Sequence, residues 1–131
     1  MALGVVSHVS LRVSDRDRSE QFYNPILQFL GYRPVARNTE FTQWWSPQAG
    51  AFTLSFTAEA AHPAPAKALG LHHLAFHAES RQQVDTLYEL LQALKAHVLS
   101  APMEASAQAG YYAVLFADPD GIQLELVFVE E

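Results

Sequence analysis

Three side chains in this sequence have the types and placing to grip a divalent cation: His8, His73 and Glu125. Each takes a polar position next to or within a stretch where apolar and polar residues alternate. Val9, Leu11 and Val13 fall on one face of the first stretch, with His8, Ser10 and Arg12 on the other, the pattern of a half-buried strand. Glu125 lies likewise opposite Leu124, Leu126 and Phe128. Two neutral imidazoles and one carboxylate leave coordination positions open for water and substrate. With a dication the set keeps about one net positive charge, which attracts anionic oxygens. A strand histidine taken alone is more often a hydrogen-bonded or rim residue than a ligand. What lifts these two above that reading is their spacing.

A shift of 65 residues lays His8-Val9-Ser10-Leu11-Arg12-Val13 on His73-Leu74-Ala75-Phe76-His77-Ala78 without a gap. Further along, Phe22-Tyr23 falls on Leu87-Tyr88, Ile26 on Leu91 and Phe29 on Leu94. The halves read as two copies of one unit, and the two histidines occupy the same place in each. After its first strand each copy turns helical. In the first, Ser14 or Asp15 supplies the N-cap, Phe22, Ile26 and Phe29 recur at helical spacing, and Gly31 supplies the stop. Pro25 in the interior predicts a kink, or a break into two short pieces, near Asn24. In the second copy Ser80 and Gln83 form a capping-box pattern ahead of an apolar stripe of Val84, Leu87, Leu91 and Leu94. Three shorter strands should close each copy, at about 32–37, 41–46 and 51–57, then about 97–101, 110–117 and 122–129. The expected fold is α+β: two βαβββ modules forming a cup-shaped, incompletely closed eight-stranded sheet, with helices outside. One domain is expected over 1–131, with module one at about 5–57, an Ala/Pro-rich linker at about 58–70, and module two at about 71–129.

Other side chains could assist at such a site. His77 shares the parity of His73 and reads either as an acid–base group or as a rim histidine. His72 falls on the opposite parity and reads as structural, while His62 and His97 read as linker and loop residues. Of the neighbouring Tyr111 and Tyr112, one should reach the cup, and Tyr112 is assigned that role beside His77. Arg12 either pairs with a substrate carboxylate or lies at the open edge. Asp118-Pro119-Asp120-Gly121 fits a type I turn that aims the last strand. Trp44 and Trp45 read as core or subunit contact, with a pocket wall as the alternative.

Composition narrows the partners. With 8 Lys and Arg against 14 Asp and Glu the formal charge is −6, and no basic cluster offers a surface for nucleic acid or an anionic membrane. A small-molecule substrate is the expectation that remains. The chain has no Cys, which excludes disulfides, thiolate metal sites and cysteine nucleophiles. No apolar run approaches the roughly 20 residues of a membrane helix, and the start lacks the pattern of a signal peptide. A cytoplasmic protein is expected.

Taken together, the strand His8-Val-Ser-Leu-Arg-Val, the Phe22-Tyr23 helix ending at Leu30-Gly31-Tyr32, the strand His73-Leu-Ala-Phe, and Asp118-Pro-Asp-Gly-Ile-Gln-Leu-Glu125-Leu resemble the vicinal oxygen chelate superfamily from end to end. This is the glyoxalase, bleomycin-resistance and extradiol-dioxygenase family. The resemblance implies paired βαβββ modules, one divalent ion (Fe, Mn, Zn, Ni or Mg), and a homodimer in small members, sometimes with a shared site. It also implies a fourth ligand, typically Glu, in the first module. Matching Leu54-Ser55-Phe56 to Leu124-Glu125-Leu126 puts Ser55 there, a departure that weakens the lactoylglutathione lyase reading. The remaining His, His, Glu set looks like that of extradiol dioxygenases and fosfomycin-modifying thiol transferases. The expected function is a metalloenzyme of dioxygenase, lyase or transferase type. The alternative is a metal-free protein that binds or sequesters a small molecule.

Overall fold

Where the alternation runs in the first copy, the computed structural model has β1 (His8–Val13), and where helical spacing takes over it has α1 (Arg16–Phe29). The strands β2 (Arg33–Arg37), β3 (Phe41–Ser46) and β4 (Gly50–Phe56) complete the module. The second copy repeats the order with β5 (Leu74–His77), α2 (Arg81–Ala93), β6 (His97–Glu104), β7 (Tyr111–Ala117) and β8 (Gln123–Val129). The structure describes residues 2–57, 69–104 and 110–130. His62 and most of the expected linker lie outside them. The chain divides into two compact units, Met1–Ala61 and His62–Glu131. It is α+β, with a βαβββ module and a four-stranded sheet in each unit. Among the described residues no helix is long and apolar enough to cross a membrane.

In unit one the sheet runs β1-β4-β3-β2, with β1 parallel to β4 and the other pairs antiparallel. Phe52 and Leu54 of β4 and Trp44 of β3 are buried with Phe22, Tyr23 and Ile26 of α1. The rings of Tyr23 and Phe52 lie 5.5 Å apart, which fixes the helix to this face of the sheet. Because strand side chains alternate, Ala51, Thr53 and Ser55 must point the other way, as must His8, Ser10 and Arg12. Unit two follows the same logic, with order β5-β8-β7-β6. Val84, Leu87 and Leu91 of α2 are fully buried, as are Phe116, Leu124 and Leu126 of its sheet. Each such leucine contributes on the order of 1.5–3 kcal/mol relative to exposure.

Both helices are capped as their sequences require. Asp15 is the N-cap of α1 and accepts the Arg18 N–H at 3.0 Å; Ser80 caps α2 and accepts the Gln83 N–H at 3.2 Å. At the far end of α1, Gly31 at φ +95° closes a Schellman motif, with Tyr32 N–H donating to Leu27 and Gly31 N–H to Gln28. In α2 the corresponding left-handed residue is Lys95, at φ +56°. The motif is the same and the glycine is missing, so no sequence signal marks that end.

Of the kink or break expected at Pro25, the break does not occur: α1 is one continuous helix with Pro25 inside it. Pro25 removes a hydrogen bond to the carbonyl of Gln21, an exposed residue whose carbonyl water can satisfy. Phe22 and Tyr23 before it and Ile26 and Leu27 after it are all buried against the same core. Asn24 adds a tether, its Oδ1 accepting from Trp44 Nε1 at 3.0 Å and from Gln28 Nε2 at 2.8 Å. Packing on both sides outweighs one lost backbone bond.

Candidate functional site

Unit two brings together two of the three expected ligands. β5 pairs with β8 in the register Ala75↔Glu125, and β8 pairs with β7 as Leu115↔Glu125. Leu124 and Leu126 face the helix, so Glu125 points to the opposite side, where His73 enters just ahead of β5. His73 Nε2 and Glu125 Oε1 stand 3.7 Å apart. That is too long for a hydrogen bond and close to the span of two ligands each about 2.1 Å from one ion. A nitrogen and a carboxylate oxygen are also a suitable donor pair for a borderline dication, so the residues present fit such a group. Within either unit, the described residues gather no group of three His, Cys, Asp or Glu side chains that could hold an ion.

Glu125 is only 5% exposed, and a buried carboxylate needs partners. One is Tyr111, whose hydroxyl donates to Glu125 Oε2 at 2.8 Å. Accepting that bond, the carboxylate holds the Tyr111 phenol above its ordinary value near 10.0, and partial burial adds to the effect. Tyr111 therefore stays a donor at neutral pH, and Oε1 is left to face His73.

Tyr112, the tyrosine expected at the site, belongs to the other face of β7. Its hydroxyl donates to Asp85 of α2 at 2.6 Å, and the Arg81 guanidinium lies 4.7 Å from its ring. Adjacent residues of a strand point to opposite faces, so only one of the pair can reach Glu125. Paired across β7 and β8, Tyr111 opposes Val129, which shares the parity of Glu125. The register, which the sequence did not reveal, decides between them. His77 pairs with Val127, has the parity of Glu125 and is exposed.

In unit one His8 opens β1, exposed, with Nδ1 at 3.2 Å from Ser7 Oγ. The pairings His8↔Ala51 and Ser10↔Thr53 fix the structural match between the modules. Ser10 is the counterpart of Ala75, and Ala75 opposes Glu125 where Ser10 opposes Thr53. The residue in place of the fourth ligand is thus Thr53, and the assignment to Ser55 is corrected by two positions. Arg33 of β2 pairs with Trp45, twelve residues on, where its counterpart His97 of β6 pairs with Ala117, twenty residues on, so the eight extra residues between β6 and β7 change the offset between the modules and no constant shift holds along the chain. Thr53 is neutral, and its Oγ1 accepts from Gln43 Nε2 at 3.0 Å. Arg12, beside Ser55, is exposed, and no described carboxylate pairs with it.

The turn before β8 behaves as its residues require. Asp118 is 4% exposed, and its Oδ1 accepts the N–H of Asp120 at 2.9 Å and of Ile122 at 2.8 Å. It locks the hairpin that delivers Glu125.

A groove of about 730 Å³ lies on the helix side of unit one, opposite His8, lined by Asn24, Val35, Thr42 and Trp44 among others. On its wall Glu20 accepts from Arg37 Nε at 2.9 Å and Nη2 at 3.1 Å, and from the Thr42 hydroxyl at 2.6 Å. The Arg37 hydrogen bonds, with smaller help from Thr42 and against the cost of burial, hold the Glu20 carboxyl below its ordinary value near 4.5. A depressed folded-state pKa stabilises above the unfolded value, and the contribution is lost as pH falls through the folded value. Glu20→Gln should therefore lower the Tm at pH 7, and the difference from wild type should shrink as the pH falls below the ordinary carboxylate range. A gap that persists in acid would show that the charge on Glu20 is not what holds Arg37 and Thr42.

The family model of the Glyoxalase/Bleomycin resistance protein/Dioxygenase superfamily matches residues 5–126. The chain is 35% identical over 122 residues to the uncharacterized protein YqjT of Bacillus subtilis, covering 92% of this chain and 95% of that one. Among solved structures, a glyoxylase/bleomycin resistance protein/dioxygenase domain from Frankia superposes with a TM-score of 0.82 at 28% identity, covering 99% of this chain and 95% of that one. The fosfomycin resistance protein FosX of Listeria monocytogenes shares the fold, with a TM-score of 0.73 at 18% identity and coverage of 99% and 96%. A model match over nearly the whole length and the duplicated βαβββ module lead to one conclusion: the chain belongs to the Glyoxalase/Bleomycin resistance protein/Dioxygenase superfamily.

Proposed function

We propose that this protein is a metal-dependent enzyme that holds one divalent ion with His8, His73 and Glu125 and binds a small substrate through two neighbouring oxygens. The observation that carries this reading is the His73–Glu125 pair, a buried carboxylate oxygen facing an imidazole nitrogen at 3.7 Å. His8 supports it as the repeat counterpart of His73, on the sheet face turned away from α1. It would enter either from the same chain or from a second copy in a homodimer. The ion, one of Fe, Mn, Zn, Ni or Mg, would act as a Lewis acid toward negative charge developing on the substrate oxygens.

The chain's own residues would do the rest. Tyr111 keeps Glu125 oriented by donating to its second oxygen. His77, exposed on the same sheet face, takes the acid–base role. Arg12, exposed on the same strand face as His8, offers a cation to an anionic part of the substrate. With Thr53 in the fourth position, three protein ligands leave more of the coordination sphere open than four would. That favours reactions of dioxygenase or transferase type over lactoylglutathione lyase chemistry. A cytoplasmic location belongs to the same proposal.

A metal-free binding protein is the second reading, and the groove beside Trp44 is the observation that favours it. Elemental analysis of protein purified without chelators separates the two. One ion per chain, lost in His73→Ala, is the expected result. A metal-free wild type that still binds small aromatic molecules would overturn the enzyme reading.

A further inference from the structure

His72 precedes β5, where the backbone is not yet extended strand, so it is not bound to point away from His73. The two rings meet edge to face, with centroids 5.0 Å apart at 75°, and their Nδ1 atoms are 2.8 Å apart. Two imidazole nitrogens at that distance share one proton: one donates and the other accepts. A neutral histidine carries a single N–H, so the partner at Nδ1 decides what is left at Nε2.

We propose that His72 is a positioning residue for His73, accepting the hydrogen bond of His73 Nδ1–H and so leaving the Nε2 lone pair turned toward Glu125. The inference rests on the metal reading only for its purpose; the hydrogen bond stands on the geometry of the two rings. In the arrangement proposed, His73 is the Nδ1–H tautomer and His72 the Nε2–H tautomer. Both rings are neutral and every proton is accounted for. Without His72, the Nδ1 of His73 faces water, the ring is free to turn about its side-chain bonds, and either nitrogen can carry the proton. A metal-binding histidine whose second nitrogen loses its partner typically loses about 10–100-fold in ion affinity. Because His72 is exposed and water can take its place, the lower end applies here.

Two measurements on wild type and His72→Phe test this. In the metal-free protein at about pH 8, nitrogen-15 NMR of the imidazoles should show His73 as Nδ1–H and His72 as Nε2–H in the wild type. In His72→Phe, His73 should shift toward Nε2–H. A His73 that is Nε2–H in the wild type, or unchanged by the substitution, overturns the proposal. Calorimetric titration with Zn²⁺ should then give a dissociation constant about tenfold weaker for His72→Phe, recovered in large part by His72→Asn, whose side-chain oxygen can accept the same hydrogen bond. Unaltered affinity in His72→Phe also overturns it. If wild type binds no Zn²⁺, the metal reading is what fails, and the tautomer spectra still decide the part played by His72.

Discussion

Glu125→Gln should leave the protein folded and weaken the proposed binding of a divalent ion about 100-fold or more. In the native protein one carboxylate oxygen accepts from Tyr111 and the other faces His73 Nε2. An amide of the same shape keeps both positions filled: its oxygen accepts from Tyr111, and its NH₂ can donate to a His73 Nε2 lone pair. The metal-free variant should therefore unfold within a few degrees of wild type, because removing a buried charge offsets the weaker hydrogen bond to Tyr111. Ion binding is another matter. The charge that the carboxylate supplied is gone, and two neutral imidazoles remain. Total binding energies of about 10–16 kcal/mol for four-ligand zinc sites imply roughly 3 kcal/mol per ligand, a loss on the order of 10²-fold or more. Thermal unfolding with added Zn²⁺ reads this directly. At 100 times its dissociation constant the ion should stabilise wild type by about 2.7 kcal/mol, and a variant weakened 100-fold by only about 0.4 kcal/mol. Equal stabilisation of the two would remove Glu125 from the ligand set, and the proposed metal site with it.

How far the sequence reaches is best seen by comparing His73 with Thr53. The alternation around His8, His73 and Glu125 is a property of single strands, so the face each occupies could be read from neighbouring residues. The βαβββ order and both N-caps follow from equally local signals. Pairing register is not local. It depends on the length of the connections between strands: the eight extra residues between β6 and β7 set the offset that makes Thr53, and not Ser55, the counterpart of Glu125, and neither of those two strands carries a mark of it. The same holds for Tyr111 and Tyr112, where a single position decides which hydroxyl meets Glu125. Pro25 shows the opposite case: of the kink or break that the local rule allows, the break is absent, because the burial of Phe22, Tyr23, Ile26 and Leu27 holds the two halves of the helix together. Strand parity set His72 apart from His73, but the strand begins two residues after His72 and the two rings are in contact. Local rules gave the parts, and tertiary pairing chose among them.

Gly50→Ala should couple the fold to the site most sharply. Gly50 closes the β3–β4 turn at φ +77°, a left-handed conformation that costs a residue with a Cβ about 1 kcal/mol. A Cβ there would also overlap the Ser7 carbonyl oxygen and lie 3.1 Å from its carbon. Backbone cannot swing aside as a side-chain tip can, and Ser7 is the residue before His8, whose strand pairs with β4 in the register His8↔Ala51. Relief of the overlap must move either the turn or the start of β1. With about 1–3 kcal/mol for overpacking added to the left-handed penalty, the expected loss is about 2–4 kcal/mol, or a Tm lower by roughly 10 °C. The matched control is Gly31→Ala. Gly31 has φ +95° and nothing within 4 Å of an added Cβ, so only the conformational penalty applies. Gly31→Ala should thus lose about 1 kcal/mol and bind Zn²⁺ as wild type does. Gly50→Ala should bind it more weakly even at temperatures where it is fully folded, because His8 is displaced while His73 and Glu125 are untouched. If Gly50→Ala keeps wild-type affinity despite its lower Tm, then His8 either does not move with Ser7 or does not touch the ion. A crystal structure of the variant would show which.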